Sequence, residues 1–330
     1  MYTPAVLKLQ HVMDGREWRE TTVLEHLCGQ PLSPATDALP LRPLTPDRPS
    51  RTTASSYFLS GSPSYAPKVH AAFAGEHLTH ELSSMDHPRR RHLEILLTTT
   101  PPASSPLETA DSTDFVAAMA DAVEALANAH ARGVTHGDLS STNLLYDGNQ
   151  IVVLDWECGR VKESTHSSNN ERTGTRDTMA VNQLMGAPHV PAHDVESLLV
   201  TIIKIVTQRF TPSPEDLEAW DVAVAALKWE WLALTVEDTT LAALRKSMWG
   251  ANPLLLRTIT QLLHKSEPAL AKLLQDIARL NVPAWTTVTF EEGEYVFAGG
   301  AVTKRQWDDL RALFWNVKTF GSGPGAPVSE

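Results

Sequence analysis

The most constraining feature of the chain is a spaced set of polar residues near its middle. Residues 136–138 read His-Gly-Asp, Asn143 follows five residues after Asp138, and Asp155 follows twelve after Asn143. Two short apolar runs, 144–146 and 151–154, flank the turn Asp-Gly-Asn and read as a hairpin. That hairpin places the second carboxylate back beside the first group. Such a set suits phosphoryl transfer from a nucleotide. Asp138 can orient a hydroxyl and take its proton, while Asn143 and Asp155 offer the oxygen ligands that Mg²⁺ prefers. Taken singly, His-Gly-Asp-Leu is an ordinary turn and Asp155 a helix cap. The combination, behind a long amphipathic helix, favours a catalytic loop.

That helix runs from Ser112, a capping residue, through DFVAAMADAVEALANAHARG and ends at Gly133. Upstream, residues 4–10 read as a short strand carrying Lys8. Residues 14–28 place Trp18, Val23, Leu24 and Leu27 at helical spacing, with Gly29 and Pro31 as the stop. Eight prolines then fall between residues 31 and 67, among many Ser and Thr. Such a stretch holds neither a helix nor a central strand, so residues 30–67 are expected to be a long surface insert, at least partly disordered. Residues 92–99 alternate and then run apolar, as an inner strand does. Downstream, 193–208, 214–234, 238–248 and 253–280 are helical by pattern. A hairpin is expected at 285–297, a last helix at 303–317 and a loose tail after it.

Charge and composition narrow the alternatives. With 28 basic and 39 acidic residues the net charge is −11, which argues against a nucleic-acid groove or a polybasic membrane patch. Hydrophobic residues make up 42%, enough for a real core. Cys28 and Cys158 are the only cysteines, too few for a disulfide framework, and a reducing compartment is the natural reading. The most apolar run, 198–206, is interrupted by Lys204 and too short for a bilayer, and the first ten residues carry no export signal. The expectation is an intracellular protein, cytoplasmic or nuclear, without membrane or nucleic-acid partners. His77, His80, His87 and His92 fall close together but lack the closed four-ligand spacing of structural zinc.

Two segments carry a family resemblance. GVTHGDLSSTNLL resembles a protein-kinase catalytic loop, and VVLDWECGR the strand end that holds the metal-binding aspartate. ERTGTRDTMAVNQL followed by PHVPAHDVESLLVTI resembles the activation-segment end and the next helix of the fungal-type protein kinase family. The resemblance is clear over about 92–208 and weaker to about 280. It implies an α+β, two-lobed kinase-like fold. A small, incomplete β-rich N-lobe would occupy 1–99, a mainly helical C-lobe 100–283, and a C-terminal extension 284–330. It also implies ATP and Mg²⁺ as cofactors and Ser/Thr hydroxyls of proteins as acceptors. By the same resemblance Asp138 is the catalytic base, Asn143 and Asp155 hold Mg²⁺, and Asp194, with His136, supports the catalytic-loop backbone. Lys8 contacts the phosphates and Glu20 is its helix partner.

The departures from the family pattern matter as much. Seven residues precede Lys8 in this sequence, and no G-x-G-x-x-G pattern occurs among them, so an incomplete N-lobe is expected. Gly137 replaces the usual arginine, which makes control by activation-loop phosphorylation less expected. Ser140 stands where Ser/Thr kinases carry a lysine that touches the γ-phosphate. Asn182 stands where a glutamate usually braces the segment, and a neutral brace is expected to be looser. Two alternatives follow: a pseudokinase acting as a scaffold, and a small-molecule kinase, in which His-Gly-Asp is also found.

Overall fold

The computed structural model describes residues 5–13, 23–24, 26–27, 33–34, 55–58, 68–77, 91–99, 105–107, 112–146, 151–161, 174–230, 243, 253–280, 282–291 and 294–321. The fold is α+β: mostly helical, with small antiparallel sheets.

The first sheet has five strands, β1 (Ala5–Met13), β2 (Ser33–Pro34), β3 (Ser55–Phe58), β4 (Lys68–His77) and β5 (Arg91–Thr99), in the order β1-β5-β4-β3-β2. β5 pairs with both β1 and β4, as expected for an inner strand. Lys8 on β1 lies opposite Leu96 of β5. The proline-rich stretch contributes more order than its composition suggests: β2 and β3 fall within 30–67. β2, which carries Pro34, takes the edge, where proline is tolerated because backbone N–H groups go unused, while the proline-free β3 lies between β2 and β4. Of the helix expected over 14–28, the described residues Val23, Leu24, His26 and Leu27 are helical, and Val23, Leu24 and Leu27 are fully buried.

A three-stranded sheet joins β6 (Ser105–Pro106), β8 (Leu144–Tyr146) and β9 (Ile151–Val153), and β7 (Val134–Thr135) pairs with β10 (Arg160–Val161). β8 and β9 form the expected hairpin, with Leu144 opposite Val153. Around them pack α1 (Ser112–Ala131), α2 (Val181–Leu184), α3 (Pro191–Arg209), α4 (Leu217–Glu230), α5 (Pro253–Leu263), α6 (Pro268–Leu280) and α7 (Lys304–Gly321). α3 is buried along most of its length and forms the axis of the helical part. Its apolar residues occur on every side, the pattern of a helix enclosed by others. Among the described residues no helix is long and apolar enough to cross a membrane.

Residues 253–280 form two helices rather than one. The chain turns at 264–267 and restarts at Pro268, where a proline at the first helical position costs no hydrogen bond. The apolar periodicity continues across the break because α5 and α6 face the same core. Of 238–248, only Ala243 is described; it is helical and buried.

The C-terminal segment is part of the main core. β11 (Thr286–Glu291) and β12 (Glu294–Gly299) make the expected hairpin, and α7 packs on α1 and α6. Trp307, Leu310, Leu313 and Phe314 join the cluster that contains Phe115, Leu126 and Leu198. Arg311 donates to both carboxylate oxygens of Glu124, at 2.5 and 3.0 Å, closing α7 onto α1 at the surface. Because Phe314 is only 1% exposed, Phe314→Ala is expected to cost about 3–5 kcal/mol in urea unfolding. A cost below about 1 kcal/mol would show that α7 is not part of the core.

Candidate active site

The loop bearing Asp138 is built from the end of α1. Gly133, at φ 72°, ends the helix, and β7 carries the chain inward to His136. His136 is fully buried. The Asp138 N–H donates to its Nδ1 at 3.1 Å, so Nδ1 is an acceptor and the proton sits on Nε2, which donates to the Leu154 carbonyl at 2.7 Å. Burial lowers the pKa of this ring against the pull of Asp194, the Leu154 carbonyl, Asp138 and Asp155. A neutral imidazole thus joins the start of the loop to the strand end that carries Asp155.

Gly137 lies at φ 86°, and a Cβ there would come within 2.4 Å of the Cys158 carbonyl oxygen. Glycine at this position is therefore a steric requirement as well as the loss of an arginine. Asp138 follows. Its Oδ1 accepts the Thr175 N–H at 2.5 Å, and Gly174, at φ 120°, packs against the Gly137 carbonyl. The Gly-Thr pair of ERTGTRDT thus closes over the carboxylate of Asp138. Thr173 lies outside the described residues.

Asn143 ends the 3₁₀ turn Ser141–Asn143. Its Nδ2 donates to the Asp138 carbonyl at 2.8 Å and faces Oδ2 of the same residue at 3.4 Å. The Leu154 N–H donates to the Asn143 carbonyl at 2.8 Å, which ties the two sides of the hairpin base together. Asp155 comes next, at φ 59° and ψ 63°, and makes no side-chain cap to the turn that follows. A left-handed aspartate costs on the order of 1–2 kcal/mol, and such residues concentrate at functional sites. The helix-cap reading of Asp155 is thereby set aside. Trp156 is fully buried, donates from Nε1 to the Val153 carbonyl at 2.9 Å and packs against His136 with ring centroids 4.6 Å apart and planes tilted by 60°. A Cβ on Gly159 would lie 3.0 Å from Val23, so the first helical segment reaches this strand end.

Asp194, in the first turn of α3, lies beneath the loop and is fully buried. It accepts the His136 N–H at 2.7 Å and the Gly137 N–H at 2.9 Å. His130 and His189 donate from Nε2 to its two oxygens at 2.9 and 2.8 Å. Burial alone would raise the carboxyl pKa. The charges and hydrogen bonds of His189 and His130 overcome it and hold Asp194 well below the usual carboxylate range. His130 and His189 are the residues that sequence reasoning missed. The signal was present in part, since PHVPAHD places a histidine five residues ahead of Asp194.

The exit of the segment is anchored independently of this cluster. Asp177 pairs with Lys204 of α3, and the Val181 N–H donates to Glu196 at 2.8 Å. Asn182, expected to be a looser brace, is buried and donates from Nδ2 to the Thr286 hydroxyl. The described structure thus brings together His136, Asp138, Asn143, Asp155 and Asp194. The Lys8–Glu20 pair is not among them: Glu20 lies outside the described residues, and of Lys8 only the strand is described. Among the described residues no group of three or more His, Cys, Asp and Glu is arranged to hold a metal ion. His80 and His87 lie outside them.

The buried histidines make stability depend on pH. Burial, then the neighbouring charge of His189, pushes His193 down to about 3, although Asp194 opposes the shift. Between that value and the 6.5 of a free histidine, the unfolded chain binds a proton that the folded chain does not. Stability therefore rises with pH across this window and falls as acid is added. The His193 contribution to the slope is about 1.4 kcal/mol per pH unit. His193→Asn is expected to flatten the dependence of unfolding free energy on pH between about 4 and 6 by that amount. Superimposable profiles would contradict it.

Comparison with known proteins places the chain among protein kinases. A probable serine/threonine-protein kinase of Dictyostelium discoideum is 34% identical over 94 residues, 28% of this chain and 10% of that protein. Another, kinX, is 30% identical over 91 residues, 27% of this chain and 8% of that protein. The Saccharomyces cerevisiae MAP kinase kinase MKK1/SSP32 is 31% identical over 101 residues, 30% of this chain and 20% of that protein. The matches thus span a fifth or less of each of these relatives. The family model described as "Fungal protein kinase" matches residues 15–206, more than half of the chain. The chain belongs to the fungal protein kinase family.

Proposed function

We propose that the chain transfers the γ-phosphoryl group of ATP to Ser or Thr hydroxyls of protein substrates. The observation that carries this reading is the joint fixing of Asp138, Asn143 and Asp155 around one hairpin base, with a single buried carboxylate beneath them. In this reading Asp138 is the base. Its Oδ1 is taken by the Thr175 N–H, and Oδ2, which Asn143 Nδ2 faces at 3.4 Å, is the oxygen left to accept from an incoming hydroxyl. The hydroxyl proton passes to that oxygen as the hydroxyl oxygen attacks the γ-phosphorus and the bond to the departing ADP oxygen breaks.

The donor set fits Mg²⁺. Asn143 commits its Nδ2 to the Asp138 carbonyl, which leaves the amide oxygen as the ligating atom, and Asp155 supplies a carboxylate from its left-handed backbone. Bound there, the ion would supply positive charge to the phosphates. By the sequence resemblance Lys8 would contact the phosphates and Glu20 would be its helix partner. The sheet of β1–β5 and the helical part are assigned to two lobes enclosing the nucleotide. Ser140 contributes no cation. Its hydroxyl is buried and shares a hydrogen bond with Thr142 at 2.8 Å. That feature favours a second reading, a small-molecule kinase, and ATP consumption with metabolites against protein substrates separates the two.

Asp138→Asn is expected to lower phosphoryl transfer by about 10²–10⁴-fold while leaving nucleotide binding in place. Mg²⁺ and ATP, at about a hundred times the dissociation constant, should add roughly 2.7 kcal/mol to the stability of the native chain. That gain, read as a thermal shift, should disappear in Asp155→Ala. Transfer that survives Asp138→Asn unchanged would overturn the reading.

A further inference from the structure

The two oxygens of Asp194 are used alike. Each accepts one catalytic-loop N–H and one histidine Nε2–H. Oδ1 takes Gly137 and His189, and Oδ2 takes His136 and His130. A carboxylate offers about four acceptor positions, so these donors fill it. The two histidines arrive from different places. His130 stands at the end of α1, backed by Trp307 of α7 at 5.4 Å. His189 stands in the stretch between α2 and α3, and that stretch continues the segment whose Gly174 and Thr175 close over Asp138.

We propose that His189 is a positioning residue for phosphoryl transfer, coupling the placement of residues 174–190 to the backbone of Gly137 and so to Asp138. The catalytic consequence rests on the kinase reading above; the coupling itself does not. Gly137 has no side chain to hold it, and its left-handed conformation brings the Cys158 carbonyl against the space a Cβ would fill. The bond from its N–H to Oδ1 is thus a principal restraint on the residue before Asp138. Oδ1 is fixed in turn by His189, whose side chain is 4% exposed. Removing that donor leaves a buried carboxylate oxygen short of a partner. The carboxylate is then driven to reorient, at the expense of the Gly137 bond.

The surroundings of His189 suit a fixed donor. The His193 ring meets it edge-on at 5.6 Å, and the Val190 N–H donates to His193 Nδ1 at 3.4 Å. The neighbouring backbone is held from the C-terminal segment, where the Ala192 N–H donates to the Gly300 carbonyl at 2.9 Å. Gly300 packs so closely on Val190 that a Cβ there would lie 2.4 Å from its Cγ2. A displacement of residues 185–190 therefore reaches His189 and, through Oδ1, the catalytic loop.

The test compares His189→Gln, which keeps an N–H donor at similar reach, with His189→Leu, which keeps bulk and removes the donor. The first readout is amide hydrogen exchange. In the leucine variant, exchange at Gly137 should rise about tenfold or more while Ile202, in the middle of α3, changes far less; the glutamine variant should lie closer to wild type. The second readout is turnover with a peptide substrate. The leucine variant should lose about tenfold or more in kcat with KM for ATP held within about twofold, and glutamine should restore most of it. If the leucine variant does not fold, His189→Asn, whose amide falls short of Oδ1, takes its place. Unchanged Gly137 exchange, or equal impairment in the glutamine and donor-less variants, would overturn the proposal. A wild-type chain that transfers no phosphate would remove the kinase reading, and the exchange comparison alone would then decide the coupling.

Discussion

A fully buried carboxylate organises this protein. Taking an ionised aspartate out of water costs several kcal/mol, and the native state can carry it only when its lone pairs are filled by good donors. Asp194 is filled from four directions, by two backbone N–H groups and two imidazoles. Its place in the first turn of α3 adds the favourable end of the helix dipole. The same donors that make the charge tolerable are the start of the loop that carries Asp138, the end of α1 and the stretch entering α3. Solving one electrostatic problem therefore fixes three parts of the chain relative to one another.

The rest of the site follows outward from that centre. Held at His136 and Gly137, the loop turns through a glycine conformation with no room for a side chain and presents Asp138. Asn143 and the Leu154 N–H then tie the loop to the hairpin, which ends at the left-handed Asp155. From the other side, Thr175 reaches Oδ1 of Asp138, and its segment is anchored by Lys204, Glu196 and Thr286. These anchors are side chains of the chain itself. They hold residues 174–190 in place without the loop arginine that Gly137 displaces. The C-terminal segment enters this arrangement through Trp307, Gly300 and Thr286.

Much of this was legible in the sequence because it is local. The spacing of Asp138, Asn143 and Asp155 encodes a loop and a hairpin, and α1 announces itself through its cap, its apolar face and Gly133. What stayed hidden depends on distant contacts or on exceptions to local rules. The bond between Asn182 and Thr286 joins residues 104 apart, so a missing glutamate suggested a loose brace where a hydroxyl supplies one. Pro268 opens α6 inside an apolar pattern that does not pause, and the pattern hid the break. Prolines in 30–67 argued against a helix or a central strand, yet the proline-free Ser55–Phe58 within them forms an inner strand, and only β2, with its proline, keeps to the edge. His189 carries no periodic signal, because its role depends on how the chain returns to α3 rather than on spacing.

Asp194 is expected to hold the loop at His136 and Gly137 as firmly as the core holds α3. Amide hydrogen exchange in the native protein tests it without assuming any activity. The His136 and Gly137 amides lie in no regular element, so slow exchange there has to come from their bonds to Asp194. Exchange at these two amides as slow as that of Leu199 and Ile202 in α3, reached only through global opening, is the expected result. Exchange at the rate of a freely opening loop would contradict it, and Asp194 would then be a buried charge beneath the site rather than its support.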